Sequence, residues 1–316
     1  MPKGLFTGST VVLFEAPPSL DSIERALGAF SPRGRREASE GDPWLGGPSV
    51  LVEMRAEVHG LATVDVVDRP WPDAMGDPQA DPKLFGAWSF GAFGPFVFPG
   101  ALERAAQHAL GWPEADDVAG AHRAFVRARS SYVLGLGDDA RVLPDDYDPV
   151  AELTFLTDLA SALLGLPGAL AFFDPSGEVF LSSAALEDLM ARRREADLPP
   201  LDAWSNVRFF QLGDAAGWGL MDTVGMEQLE VTDQEACFPI DAVSPDEVAP
   251  FLRNVSLYLH DRGPVVEDGH TIEGPGGVWR AHACEESLAP APRPTLRWVP
   301  TFAGEPPEGM LPGHGA

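Results

Sequence analysis

Carboxylates are concentrated in one part of this sequence. Residues 214–273 contain 13 acidic and 2 basic residues, whereas the whole chain contains 48 acidic and 22 basic residues. A surface of this kind attracts a basic protein and steers its approach. Carboxylates are also ligands for divalent metal ions, which can activate water for hydrolysis. A solvated acidic face without a partner would have the same composition. The stretch therefore leaves three interpretations open.

The first interpretation is a surface that binds a basic or mixed-charge protein. Its candidate carboxylates are Glu227, Glu230, Asp233 and Glu235. A second part of such a surface is aromatic, because residues 84–102 run for 19 positions without a charge. Phe93 and Phe96 are its candidate contact residues, although core packing is the alternative for both. Repeated glycine and proline break any helix over this stretch, so we do not expect a membrane span.

The second interpretation is a metal-assisted hydrolase. Its candidate ligands or bases are Asp222, Asp268 and His270. None of the seven histidines has the paired helical spacing of a zinc protease. Neither cysteine nor any serine lies in a recognised nucleophile motif, and Gly135-Leu136-Gly137 is only a fragment of a nucleotide fingerprint. We therefore predict no catalytic residue and no cofactor, and favour a protein without catalysis.

Composition limits the partners and the compartment. The formal net charge of −26 and the pI of about 4.4 disfavour nucleic acid and anionic membranes as partners. Only Cys237 and Cys284 are present, which does not indicate a disulfide framework. The apolar run at residues 11–14 is too short for a signal peptide. These features predict a cytoplasmic protein.

The elements that must position these residues alternate between strands and helices. Ser244-Pro245-Asp246-Glu247 has the form of a capping box, and apolar residues follow at helical spacing until Gly263. Helices are also expected near residues 20–30, 102–110, 149–164 and 184–194. Strands are expected at residues 10–14, 50–54, 62–67, 121–128, 169–173, 178–181, 206–212, 218–223 and 226–231. The pattern predicts an α+β fold with mixed or antiparallel sheets and packed helices, arranged as two split βαβ, ferredoxin-like units.

The same pattern predicts how the chain is divided. Residues 1–112 form one expected α+β unit and residues 113–285 a second, which could be continuous with the first. Residues 286–316 are rich in proline and glycine and are expected to form a tail. Within that tail, Leu296 to Val299 could add an edge strand.

Several segments resemble a known family. They are FGPFVFPGALERA at residues 93–105, AHRAFVRAR at 121–129, PGALAFFDPSGEVFLSS at 167–183, GLMDTVGMEQLEV at 219–231 and EDGHTI at 267–272. In these segments the chain resembles the bacterial family labelled domain of unknown function 4261. The resemblance supplies no catalytic residue. It implies an association with secretion and interbacterial toxin loci.

Taken together, these features predict a non-catalytic acidic protein that holds or neutralises a protein partner. An immunity or accessory protein of a toxin or secretion system is the specific form of this hypothesis. The alternatives are the metal-assisted hydrolase and a structural subunit of a larger assembly. The subunit hypothesis predicts that the aromatic residues between Phe85 and Phe98 are exposed in the monomer.

Overall fold

The chain divides into two compact units, Met1–Trp204 (unit 1) and Ser205–Ala316 (unit 2). The computed structural model describes residues 3–38, 44–137, 139–211, 217–304 and 306–311. These residues form eight α-helices and two sheets, so the predicted α+β class is confirmed. In this described part of the chain, no helix combines the length and the apolarity that a membrane crossing requires.

Unit 1 is built on a seven-stranded antiparallel sheet. Its strands are β1 (Gly8–Phe14), β2 (Pro32–Arg36), β3 (Ser49–Arg55), β4 (Gly60–Val67), β5 (Ala124–Ser131), β6 (Ala169–Asp174) and β7 (Val179–Leu181). They lie in the order β2-β3-β4-β5-β1-β6-β7. Its helices are α1 (Leu20–Ala26), α2 (Pro82–Ser89), α3 (Ala101–Gln107), α4 (Ala115–Ala121), α5 (Pro149–Leu164), α6 (Ser183–Ala196) and α7 (Leu201–Trp204).

One split βαβ unit is present in this sheet. Strands β5 and β6 are both antiparallel to β1, which lies between them, so they run parallel to each other and α5 lies between them in the sequence. Helix α5 begins where its sequence predicts, because the Asp148 side chain accepts a hydrogen bond from the amide of Ala151 and Pro149 occupies the first turn. The helix packs against β1, β5 and β6.

The core of unit 1 is centred on aromatic rings. The Trp71 ring lies 5.2 Å from the rings of Phe93 and Phe173 and 5.3 Å from the ring of Phe125. All three contacts are edge-on, the arrangement that aromatic pairs prefer. The uncharged stretch at residues 84–102 folds over this cluster as α2, a loop and the start of α3.

Unit 2 is built on a six-stranded mixed sheet. Its strands are β8 (Asn206–Gln211), β9 (Trp218–Val224), β10 (Asp233–Pro239), β11 (Thr271–Gly274), β12 (Gly277–Cys284) and β13 (Thr295–Pro300), in the order β11-β12-β13-β10-β9-β8. Only the β10–β13 pair in this order is parallel among the described strands. Helix α8 (Pro245–Arg262) has the predicted capping box at Ser244 and packs against β9 and β10. Because β10 and β13 are direct neighbours, unit 2 is not a split βαβ unit.

The division of the chain differs from the expected one. A boundary between residues 112 and 113 would place β5 in a different unit from both of its partner strands, β1 and β4. The stretch expected to be a tail contributes β13, which lies between β12 and β10 in the interior of the sheet rather than at its edge. Residues 226–229 form a 3-10 turn instead of a strand.

Candidate protein-binding groove

The acidic residues of β9 and β10 form buried ion pairs within unit 2. Asp222 lies between two arginines: the Nε of Arg208 is 3.0 Å from its Oδ1, and the Nη2 of Arg293 is 2.6 Å from its Oδ2. Arg293 also donates from Nε to Asp233 over 3.0 Å. The side chains of these four residues are at most 4% exposed. A buried charge requires such partners, because removing it from water costs several kcal/mol.

Glu235 has a separate set of partners. Its Oε2 accepts from the Nε of Arg297 over 3.0 Å, and its Oε1 accepts from the amides of Leu288 and Ala289 over 2.8 and 3.1 Å. The Thr295 hydroxyl donates to Oε2 over 3.2 Å. This carboxylate is fully buried, so its hydrogen bonds hold the segment before β13 against β10.

The expected carboxylate surface is therefore only partly present. Asp233 and Glu235 cannot meet a partner, because both are buried and paired with arginines. Glu227 is half-buried, and burial, followed by the nearby Asp233, raises the pKa of its carboxyl. Glu230 is the exposed member of the four. The compensating arginines, Arg208, Arg293 and Arg297, lie outside residues 214–273, so a count over that window overstates the charge of the surface.

The candidate metal ligands are not brought together. The carboxylate of Asp222 is already paired with two arginines. Asp268 is on the surface, where its Oδ1 accepts from the amide of Ala283 over 3.1 Å, and the Nδ1 of His270 lies 3.2 Å from the amide nitrogen of Glu267. Within the described ranges, no three histidine, cysteine, aspartate or glutamate residues are grouped to hold a metal ion. The geometry gives the hydrolase hypothesis no support.

The aromatic candidates belong mainly to the core of unit 1. Phe93 is 1% exposed and Phe96 is only partly exposed. Trp88 is also buried, with its ring 4.4 Å from that of Phe93. Phe90 is different, with 78% of its surface exposed. Between Phe85 and Phe98 the aromatic residues are therefore mixed: two are buried, Phe85, Phe96 and Phe98 are partly exposed, and Phe90 is exposed.

Unit 2 carries a groove of about 400 Å³ that is a candidate binding site and is called here the unit 2 groove. Its floor is apolar and includes the buried residues Val231, Leu259 and Leu296. Its rim carries the exposed residues Glu230 and Glu285. The other lining residues are Thr232, Gly263, Pro264, Val266, Ala283, Cys284, Pro294 and Thr295. Within the described residues, the charged side chains that line the groove are all acidic.

The fold of unit 2 explains where this groove lies. Strands β10 and β13 are parallel, so both begin at the same edge of the sheet, where Asp233 is opposite Thr295. Strand β12 is antiparallel to β13 and therefore ends at that edge with Cys284. Helix α8 ends there at Gly263, and the 3-10 turn ends at Glu230, whose φ of 62° is in the left-handed region. The ends of five elements thus meet at one groove, whose lining residues span 66 positions from Glu230 to Leu296.

The cysteine in the groove is not prepared for nucleophilic chemistry. Burial raises the pKa of the Cys284 thiol above its ordinary value. Burial also raises the pKa of Cys237 to about 12. A thiol attacks as the thiolate, so both cysteines are poor nucleophiles at neutral pH.

A comparison with protein families found a match in this part of unit 2. Residues 222–299 match the family described as Domain of unknown function (DUF4261). The resemblance expected from the sequence is confirmed over this range. The match extends from β9 to β13 and contains every residue that lines the unit 2 groove. No curated protein and no solved structure matched the chain.

The groove residues themselves were not predicted, apart from Glu230. Val231, Leu259 and Leu296 are apolar residues in three separate elements, and sequence spacing cannot show that they meet. The clearest signal was indirect, because the predicted helix end at Gly263 lies in the groove.

Proposed function

We propose that the protein is a non-catalytic binding protein that holds a protein partner in the unit 2 groove. The observation that supports this function is the combination of an apolar floor with a rim whose charges are acidic. The groove accommodates a lysine or arginine side chain together with a flanking apolar residue.

The chemistry of long basic side chains fits this geometry. Lysine and arginine bury their aliphatic stems on apolar surface while the charged head remains near water. In the groove the stem would lie on Leu259 and Leu296, and the head would reach the carboxylates of Glu230 and Glu285. The net charge of −26 would also steer a basic protein toward the chain. An immunity or accessory role in a toxin or secretion system is the specific form of this proposal, and it rests on the family resemblance.

A binding experiment with defined peptides tests the groove. Labelled peptides of alternating leucine and lysine, or leucine and arginine, should bind the full chain, as measured by fluorescence anisotropy. Peptides of alternating leucine and glutamate should not bind. The double variant Glu230→Gln, Glu285→Gln should weaken binding of the basic peptides roughly fivefold, because exposed ion pairs contribute little individually. It should also reduce the salt dependence of binding.

A steric variant gives an independent test. Ala283 is exposed and lines the groove, so Ala283→Trp should fill the groove and remove measurable binding while the fold is retained. Val278→Trp on the same strand and Glu273→Gln on β11 are matched controls at exposed positions outside the lining, and both should bind like the wild type. Equal binding of acidic and basic peptides, or unchanged binding by Ala283→Trp, would contradict the proposal.

A further inference from the structure

A row of unpartnered polar groups crosses the sheet of unit 1. Ser9 on β1 and Thr63 on β4 are both directly opposite Arg129 on β5. Residues directly opposite each other on neighbouring strands point to the same face of the sheet. The Oγ of Ser9, the Nε of Arg129 and the Oγ1 of Thr63 are all buried, and none has a hydrogen-bond partner in the part of the chain that the structure describes. Such groups are rare in native proteins, because each loses its bonds to water without replacement.

Two buried arginines near this row share one buried carboxylate. Arg127 and Arg129 both pair with Asp65: the Nη2 of Arg127 lies 2.9 Å from its Oδ2, and the Nη2 of Arg129 lies 3.0 Å from its Oδ1. The other acceptors of both guanidinium groups are backbone carbonyls, including that of Ala92. Burial, followed by the neighbouring Arg127, lowers the pKa of Arg129. Among the residues that the structure describes, one buried carboxylate therefore serves these two buried cations, which is a local excess of one positive charge.

A cavity gives access to this excess charge. It has a volume of about 280 Å³, is called here the Arg129 cavity, and is lined by both Arg129 and Thr63. Its outer part is mixed. Leu5, Leu45 and Phe90 line it and are 52%, 41% and 78% exposed, and the exposed residues Arg36 and Glu37 line it as one charge of each sign. The cavity thus has a buried polar end, with two donors that have no partner among the described residues, and an exposed end that combines apolar side chains with one charge of each sign.

We propose that the Arg129 cavity binds a small carboxylate that carries an apolar group. The carboxylate would accept hydrogen bonds from the Nε of Arg129 and the hydroxyl of Thr63, and it would supply the negative charge that the two arginines lack. The apolar group would pack between Leu45 and Phe90. This volume is near the lower end of the usual range for ligand pockets, about 300–1,000 Å³, so the ligand is small. The inference concerns unit 1 and does not depend on the function of the unit 2 groove.

A carboxylate is favoured over other anions by the shape of the site. A planar guanidinium matches the planar, two-oxygen geometry of a carboxylate. A free inorganic anion would use the polar end and leave the exposed side chains of Leu5 and Phe90 uncovered. The same chemistry is present in a small aromatic acid and in the last residue of a peptide chain, so the test includes both sources.

The test uses benzoate as the probe and benzamide as its neutral counterpart. On the full chain, benzoate should bind by calorimetry, and benzamide should bind at least about tenfold more weakly, because it lacks the charge that Arg129 would pair with. N-acetylphenylalanine and its amide form a second pair that represents a peptide terminus. Binding of either acid in preference to its amide supports the proposal and identifies the source. Equal binding of acid and amide in both pairs, or no binding of any probe, would overturn it.

A variant separates the ligand role of Thr63 from a structural one. Thr63→Val removes a hydroxyl that has no partner among the described residues, so the melting temperature should be unchanged or higher while benzoate binds about tenfold more weakly. The control is Thr157→Val, because the Thr157 hydroxyl donates to Leu153 and accepts from Trp204 within unit 1. That change should lower the melting temperature and leave benzoate binding unchanged. Unchanged benzoate affinity in Thr63→Val would show that benzoate does not bind at the Thr63 hydroxyl and would overturn the proposed site.

Discussion

At the scale of single residues, burial distinguishes structural carboxylates from those that could meet a partner. Asp222 and Glu235 are fully buried and satisfied by arginines, whereas Glu230 and Glu285 remain on the surface. Glu230 and Glu235 lie in the same acidic stretch of the sequence, so local composition does not separate the two groups. The difference lies in the arginines that pair with the buried carboxylates. These arginines come from β8, from β13 and from the segment before β13.

Removing one buried carboxylate should therefore cause a large loss of stability. In Asp222→Asn, Arg208 and Arg293 would keep their positive charges without the negative charge that lies between them. Breaking a buried pair of this kind costs about 3–5 kcal/mol, which urea unfolding followed by tryptophan fluorescence would measure. The exposed control Glu273→Gln should change the free energy of unfolding by less than about 0.5 kcal/mol. Similar losses in both variants would contradict a buried network.

A second residue-scale prediction concerns pH. Glu152 is 2% exposed and accepts from Thr7 and from Tyr147 over 2.7 and 2.9 Å, but burial outweighs these bonds and raises the pKa of its carboxyl above 4.5. The folded state then holds its proton more tightly than the unfolded state, so this group's contribution to stability is fully present below pH 4.5 and is lost as pH rises through the raised pKa. Glu152→Gln cannot ionise.

The comparison between the two proteins measures this contribution. The free energy of unfolding of Glu152→Gln, relative to that of the wild type, should increase as the pH rises from about 4.5 toward neutrality and then level off. Denaturant unfolding at a series of pH values provides this difference. A constant difference over that range would show that Glu152 titrates normally in the folded protein.

At the scale of elements, the sequence predicted those helices and strands whose own residues include a helix cap or a regular apolar pattern. Helix α8 was predicted from its capping box and α5 from Asp148 and Pro149, and both begin as expected. Strand β10 was missed because it begins with Asp233, Gln234 and Glu235, which do not resemble a buried strand. These polar side chains are buried only because Arg293, Arg297 and Trp298 reach them from distant positions. The groove and the Arg129 cavity depend on the same kind of long-range contact, which spacing along the chain does not encode.

At the scale of the whole molecule, the position of the boundary between the units determines which fragments can fold. The partners of Asp222, Asp233 and Glu235 described above all lie within residues 205–316, and so do all six strands of the second sheet. A fragment of residues 205–316 therefore contains its own sheet, helix and ion pairs. A fragment of residues 1–112 lacks β5, which pairs with both β1 and β4 in the middle of the first sheet.

The two fragments should therefore behave differently. Residues 205–316 should give a dispersed amide NMR spectrum and a near-ultraviolet circular dichroism signal from the buried Trp279 and Trp298. Residues 1–112 should give neither, because without β5 the strands β1 and β4 have no shared partner and expose apolar faces. Residues 1–204 serve as the matched control, since that fragment restores β5 and should fold. A folded 1–112 fragment would place the boundary where the sequence first suggested it and would show that β5 is not required to join the first sheet.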